Sequence, residues 1–186
     1  MADNKVFFGI KNVYYAVATD DGTGTLTYAT PVAIPGARSI GLSASGDVSN
    51  WYADNTVYFN TATNNGYEGD LVVADLPDSF RVNVLGEVLD AAGFYIEESG
   101  KPTVEFALLF QFEGDQQAIR HCMYRCTATR PDVASSTTED TIEPNEQTIT
   151  ITAMPRISDG LVKTRCPESA TTAYSAWFTS VQEPSA

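Results

Sequence analysis

Few residues in this chain are suited to covalent or acid–base chemistry: one histidine and three cysteines. His121 lies in AIRHCMYRC, whose side-chain alternation predicts a strand. As a general base it needs a nucleophile and an orienting acid close in space, and the neighbouring sequence supplies neither. The expectation is a strand histidine held by packing, with no catalytic residue. A zinc centre takes about four Cys or His ligands in paired spacing, which these residues do not have. Cys122 and Cys126 on one extended strand stand about 13 Å apart at Cα. A disulfide spans no more than roughly 7 Å, so they do not bridge each other. Cys166 is placed by the sequence neither near them nor away from them. An odd cysteine number fits a reducing compartment.

The acidic and glycine-rich segments are equally unpromising. Asp20 and Asp21 precede Gly22 without the spaced ligands and final glutamate of a helix-loop-helix calcium site. The GTGT run at Gly22 lacks the lysine and following helix of a phosphate loop. Glu97 and Glu98 are adjacent, and adjacent residues on a strand point to opposite faces, which argues against a shared acid site. No metal, no cofactor and no enzymatic activity are expected.

Composition narrows the class. The chain has 186 residues, of which 43% are hydrophobic, enough for one domain over 1–186 burying roughly 70% of its unfolded surface. The N-terminal stretch MADNKVFFGIKNVYYAVATDD has no apolar block before a small-residue cleavage site, so no secretory signal is read and the chain is expected in a cytoplasm. No run approaches the ~18 apolar residues of a spanning helix. The formal charge is −13, from 24 acidic and 11 basic side chains. Gripping nucleic acid requires the opposite sign, because affinity comes from neutralising phosphates. The acidic balance instead permits DNA to pass without adhering.

The elements around these residues read as mainly antiparallel β. Val6 to Thr19 and the returning TLTYATPVAI predict a hairpin, and Arg38 to Ser45 alternates as a half-buried strand. Between Asp47 and Gly86, Trp51, Tyr52, Tyr58, Phe59 and Tyr67 alternate with turn-forming Asn50, Asp54, Asn55, Asn60, Asn64, Asn65 and Gly66. Rings on a turn-rich segment need a partner, either the domain's own core or a neighbouring copy. Leu71 to Ala74 predicts a strand. Leu76, Phe80 and Val84 then predict a helix of about ten residues, with Pro77 in its first turn, Asp75 or Asp78 at its positive end and Gly86 at its stop.

Val88 to Ile96 predicts two weak strands. Thr103 to Phe112 carries Val104, Phe106, Leu108, Phe110 and Phe112 on one face. Arg120, Cys122, Tyr124, Cys126 and Ala128 line one face of the returning strand, giving a hairpin over about 103–130. PDVASSTTEDTIEPNEQ, residues 131–147, is a long polar loop of the kind that serves as an arm. Thr148 to Ala153 and Leu161 to Arg165 resume as strands. A second short helix carries Ala170, Ala173, Tyr174, Trp177 and Phe178. The sum is a mainly β protein, an antiparallel β-sandwich or partly closed barrel with one or two short α-helices.

The runs GIKNVYYAVATDDGTGTLTYATPVAIPGARSIGLSASG, YADNTVYF, NNGYEGDL, LPDSFRVNVLGEV, IEPNEQTITITAMPR and AWFTSV occur here in that order. Together they resemble the major tail protein of long non-contractile-tailed bacteriophages, in particular the group found in phages of Gram-positive bacteria. The resemblance runs from Lys5 to about Val181 and is weakest in Phe94–Gln117 and Val133–Thr141. It implies a tail tube protein fold and a structural virion protein without catalytic residues, assembling into stacked hexameric rings that conduct DNA during ejection. It also implies a place in the virion tail after assembly in the host cytoplasm. The implied partners are other copies, the tape measure protein, the tail terminator and the distal tail protein. The candidate subunit contacts are Trp51, Tyr52, Tyr58, Phe59 and Tyr67 in the aromatic 51–67 segment and Ile142 in the 131–147 loop; pore-lining residues are not assigned. The competing readings are a monomeric binding module, immunoglobulin-like or carbohydrate-binding, and a ring-forming tail terminator or baseplate protein.

Overall fold

The computed structural model describes residues 6, 8–114, 117–135, 137 and 144–184. The first segment forms β1 (Phe8–Asp20), against which β2 (Leu26–Tyr28) and β3 (Val32–Ala33) return antiparallel. Asp20 and Asp21 build the turn that follows β1. Asp20 Oδ1 accepts from the amides of Gly22 and Gly24, and Asp21 Oδ1 accepts from the amide and hydroxyl of Thr23. The Thr23 hydroxyl and amide hold Asp21 below the ordinary carboxylate value.

The chain continues through β4 (Ala37–Ser45), β5 (Val48–Ala53), β6 (Thr56–Ala62) and β7 (Gly66–Val73) into helix α1 (Asp78–Asn83). A small hairpin, β8 (Val88–Leu89) with β9 (Tyr95–Ile96), precedes the long hairpin of β10 (Phe106–Glu113) and β11 (Arg120–Ala128). The last elements are β12 (Gln147–Ala153), β13 (Lys163–Cys166) and helix α2 (Thr171–Ala176).

One antiparallel sheet runs β2-β1-β10-β11-β12-β7-β4, with β3 beside β1 and β13 beside β11. It folds over on itself as a sandwich. Val13 and Tyr15 of β1, Phe106, Leu108 and Phe110 of β10, Ile149 and Ile151 of β12, and Leu71 and Val73 of β7 meet in one inner cluster. Helix α1 and its flanks fill it: Phe80 of the helix and Leu76, Val84 and Leu85 beside it are almost wholly buried, and Phe80 meets Tyr15 and Phe106 edge-on at 4.9 and 5.4 Å. The barrel is not closed, since β1 and β4 share no hydrogen-bonded ladder among the described residues.

The opposite face of the β1–β10–β11 layer is also covered. Ala16, Ala107, Leu109, Cys122, Tyr124 and Trp177 form a second cluster beneath α2. Phe178 stacks on Tyr14 at 4.7 Å, and the Arg120 guanidinium lies over Tyr174 at 3.7 Å and Phe178 at 4.7 Å. The segment after α2 is fastened by Tyr124, whose hydroxyl donates to Gln182 O, and by Arg156, which pairs with Glu183 and Asp159. The layers are therefore β12–β7–β4, the inner cluster with α1, β1–β10–β11, the second cluster, and α2.

Three expectations are corrected by this arrangement. The pairing passes from Phe106 with Cys126 to Leu108 with Met123, so β11 carries one extra residue, a β-bulge. Cys126 and Ala128 thereby leave the face of Cys122 and Tyr124 and join the inner cluster. The predicted helix of about ten residues is six long, with Pro77 at its N-cap. Asp75 does not cap it but lies 4.0 Å from Arg81. The strand expected from Thr103 begins at Phe106. All three cysteines are free and buried, and burial pushes their thiols up.

Phe80→Ala is expected to destabilise the protein by about 3–5 kcal/mol, read as a lower urea midpoint with unchanged slope, because it empties the centre of the inner cluster. Asp159 is held below its ordinary value of 3.8 chiefly by the Arg156 guanidinium. Its contribution is complete above that value and is lost as pH falls through the lower native one. Asp159→Asn should therefore lower stability at neutral pH and flatten the acid limb of the stability profile below about pH 4.

Candidate functional site

The β4–β7 pair does not end where the sheet ends. Asn65 N–H donates to Ser45 O at 2.8 Å and Thr63 N–H to Asp47 O at 3.0 Å, carrying the ladder into β5–β6. Asp54 and Asn55 close the tip with φ of 51° and 60°, the left-handed pair of a two-residue hairpin turn. At the neck the strands cross very closely: a Cβ on Gly46 would lie 2.0 Å from Thr63 O, and one on Gly66 would lie 1.9 Å from Ala153 O. Only glycine fits these two positions.

Beyond that neck every residue of β5 and β6 is exposed except Ala53, which is half-buried. Trp51 is 60% exposed, Tyr52 63%, Tyr58 72% and Phe59 58%. Trp51 and Tyr58 meet edge-on at 5.8 Å, and the Asn50 and Asn60 side chains bond across the strands. None of these four rings belongs to either hydrophobic cluster. A two-stranded ribbon standing alone is marginal in water, and each exposed ring forgoes about 2 kcal/mol of burial. The arrangement is suited to being covered by another surface.

Tyr67 sits differently, at the base of the ribbon. It is half-buried against the inner cluster, with Lys163 Nζ 4.2 Å over its ring. Ile142 lies outside the described residues. The flanks of its loop are exposed from Val133 to Ser135 and from Pro144 to Glu146, with Asn145 bonded to Ser135 and Glu146 paired with Arg38. His121 lies flat on Phe110 at 5.1 Å and edge-on to Phe112 at 5.2 Å, as a packed side chain. Among the described residues no group of three or more His, Cys, Asp or Glu could hold a metal ion, and no helix is long and apolar enough to cross a membrane.

Two further surfaces escaped the sequence reading. The first is the outward face of β4, β7 and β12. Register places Ser39, Val72 and Thr148 in one row, Gly41, Asp70 and Thr150 in the next, and Ser43, Glu68 and Thr152 in a third, continued by Thr127 of β11. Thr150 donates to Asp70 Oδ1 at 2.8 Å. This face is small, hydroxyl-rich and acidic, and those rows contain no lysine or arginine. The alternating threonines were visible in the sequence; their junction with Glu68 and Asp70 depends on strand order. The second is the β8–β9 hairpin, where Leu89, Phe94, Tyr95 and Ile96 are all exposed. Its signal was the run FYI after the Ala92–Gly93 turn.

The double variant Trp51→Ala/Tyr58→Ala should keep a folded monomer, with an unfolding free energy within about 1 kcal/mol of the parent, since exposed substitutions cost little. A drop comparable to that of Phe80→Ala would place the rings in the monomer's own stability.

A family model described as phage tail tube protein matches residues 2–181. A comparison with curated proteins found no match. The matched span contains the ribbon with its glycine neck, both hydrophobic clusters and the hydroxyl-rich face. The chain belongs to the phage tail tube protein family and is a structural protein of the virion tail.

Proposed function

We propose that the protein assembles into hexameric rings, that the rings stack into the tail tube, and that DNA passes through the lumen during ejection. The observation that carries this reading is the free-standing β5–β6 ribbon, four of whose rings face solvent. A surface of that kind is stabilised by association, and the family assignment supports other copies as the associating surface. Residues 1–186 act as one tail tube domain, with the 51–67 and 131–147 segments as assembly arms. Trp51, Tyr52, Tyr58, Phe59, Tyr67 and Ile142 are its contact residues. The tube meets the tape measure protein, the tail terminator and the distal tail protein, and it is built in the host cytoplasm.

Head-to-tail contact within a ring closes at six copies, whereas a second contact along the axis repeats without closing. The hydroxyl-rich face of β4, β7 and β12 faces the lumen. It offers duplex DNA two carboxylates, Glu68 and Asp70, and no cation, so no counterions are released and nothing holds the phosphates. The remaining outer layer, α2 over the second cluster, lies on the far side of the sandwich.

Negative-stain microscopy of concentrated protein should show rings and striated tubes. Solitary particles under all conditions, with tail-initiation partners included, would remove the reading. Trp51→Ala/Tyr58→Ala should leave monomers and no tubes. Tubes carrying Glu68→Lys/Asp70→Lys should assemble, yet eject DNA more slowly, with the deficit shrinking as salt rises. Unchanged ejection by such tubes would sink the lumen assignment alone.

A further inference from the structure

Resting on the tube reading, we propose that the β8–β9 hairpin is the surface on which the β5–β6 ribbon of a copy in the adjoining ring seats. An open, polar stack needs two different surfaces on each subunit, one that projects and one that receives. Strand β7 separates them: the ribbon leaves at Gly66, and the chain beyond Val73 leads through Leu76 and α1 to β8–β9. Eight residues of strand place these two exits about 24 Å apart.

The receiving hairpin is pinned to the body. Asp78 of α1, beside the Tyr95 hydroxyl, raises the tyrosine's pKa, and Glu97 pairs with Arg130 at 2.7 Å. Its apolar side chains nonetheless point outward: Leu89 is 52% exposed, Phe94 67%, Tyr95 46% and Ile96 42%. Together with the ribbon's rings and valines, the two faces present on the order of 1,000 Å², the size at which a specific contact begins. Repetition around a ring then multiplies a modest single contact.

Charge is partly offset at this surface. Copies with a net charge of −13 repel, so they approach best where carboxylates are already compensated. Around β8–β9, Glu87 lies 3.7 Å from Arg81, Glu97 pairs with Arg130, and Glu98 lies 3.3 Å from Lys101. Asp90 spends its Oδ1 on the amides of Ala92 and Phe94. The ribbon brings only Asp47 and Asp54 between residues 47 and 62.

The test links copies through cysteines. The native thiols are buried and pushed up in pKa, so the parent protein serves as an unlinked control. Tubes of Val57→Cys/Leu89→Cys treated with a short bis-maleimide should give a denaturing-gel ladder that continues beyond six subunits. A ladder ending at six means contact within the ring, and dimers from Val57→Cys alone mean ribbon-to-ribbon contact; either overturns the proposal. Tubes without linkage, both for this pair and for Tyr58→Cys/Phe94→Cys, overturn it while leaving the tube reading standing. Parent protein that never forms tubes overturns both.

Discussion

The structure depends on one strand buried from both sides. Because successive residues of β10 point to opposite faces, Phe106, Leu108 and Phe110 feed the inner cluster while Ala107 and Leu109 feed the second. Small residues on the second face leave room for Trp177 and the α2 segment to lie close, and large ones on the first fill the space around α1. The β-bulge in β11 extends the same logic. It lets one strand serve the second cluster with Cys122 and Tyr124 and then the inner cluster with Cys126 and Ala128. It lies where β11 passes from pairing with β13 to pairing with β12. With both clusters closed by the chain's own side chains, the apolar surface left over is concentrated on two hairpins.

That residue of apolar surface sits on a strongly acidic chain. Uniform negative charge favours solubility and opposes self-contact, while exposed rings favour it. The two are reconciled by position. Acidic groups on the β7 face stand among hydroxyls, whereas those near β8–β9 are matched by Arg81, Arg130 and Lys101. At the neck Gly46 and Gly66 let the backbones pass closely, and beyond it the ribbon carries its four exposed rings outside both clusters.

Much of the fold was legible from local pattern. The four-residue spacing of Leu76, Phe80 and Val84 marked α1, and period-two alternation marked β4, β10 and β12. The aromatic window was also legible as a segment needing a partner, because ring-rich turns are costly in isolation. What was not legible depended on pairing. A bulge changes register without changing composition, so the faces of β11 were misassigned beyond Tyr124. Strand order alone places TITIT beside Glu68 and Asp70, which is why the hydroxyl-rich face had no counterpart in the one-dimensional reading. The β8–β9 residues read as a minor hairpin, since the ion pairs that compensate their neighbours join residues far apart in sequence, as with Glu97 and Arg130.

The fastening of the C-terminal segment has a practical corollary. Gln182 and Glu183 are tied to Tyr124 and Arg156, so the backbone at this point is anchored on the α2 layer, across the whole sandwich from the hydroxyl-rich face. On the proposed assignment of the hydroxyl-rich face to the lumen, a passenger polypeptide joined there by a flexible linker would start on the side of the sandwich away from the channel. On the same proposal, such passengers would be displayed at a density set by the spacing of subunits along the tube.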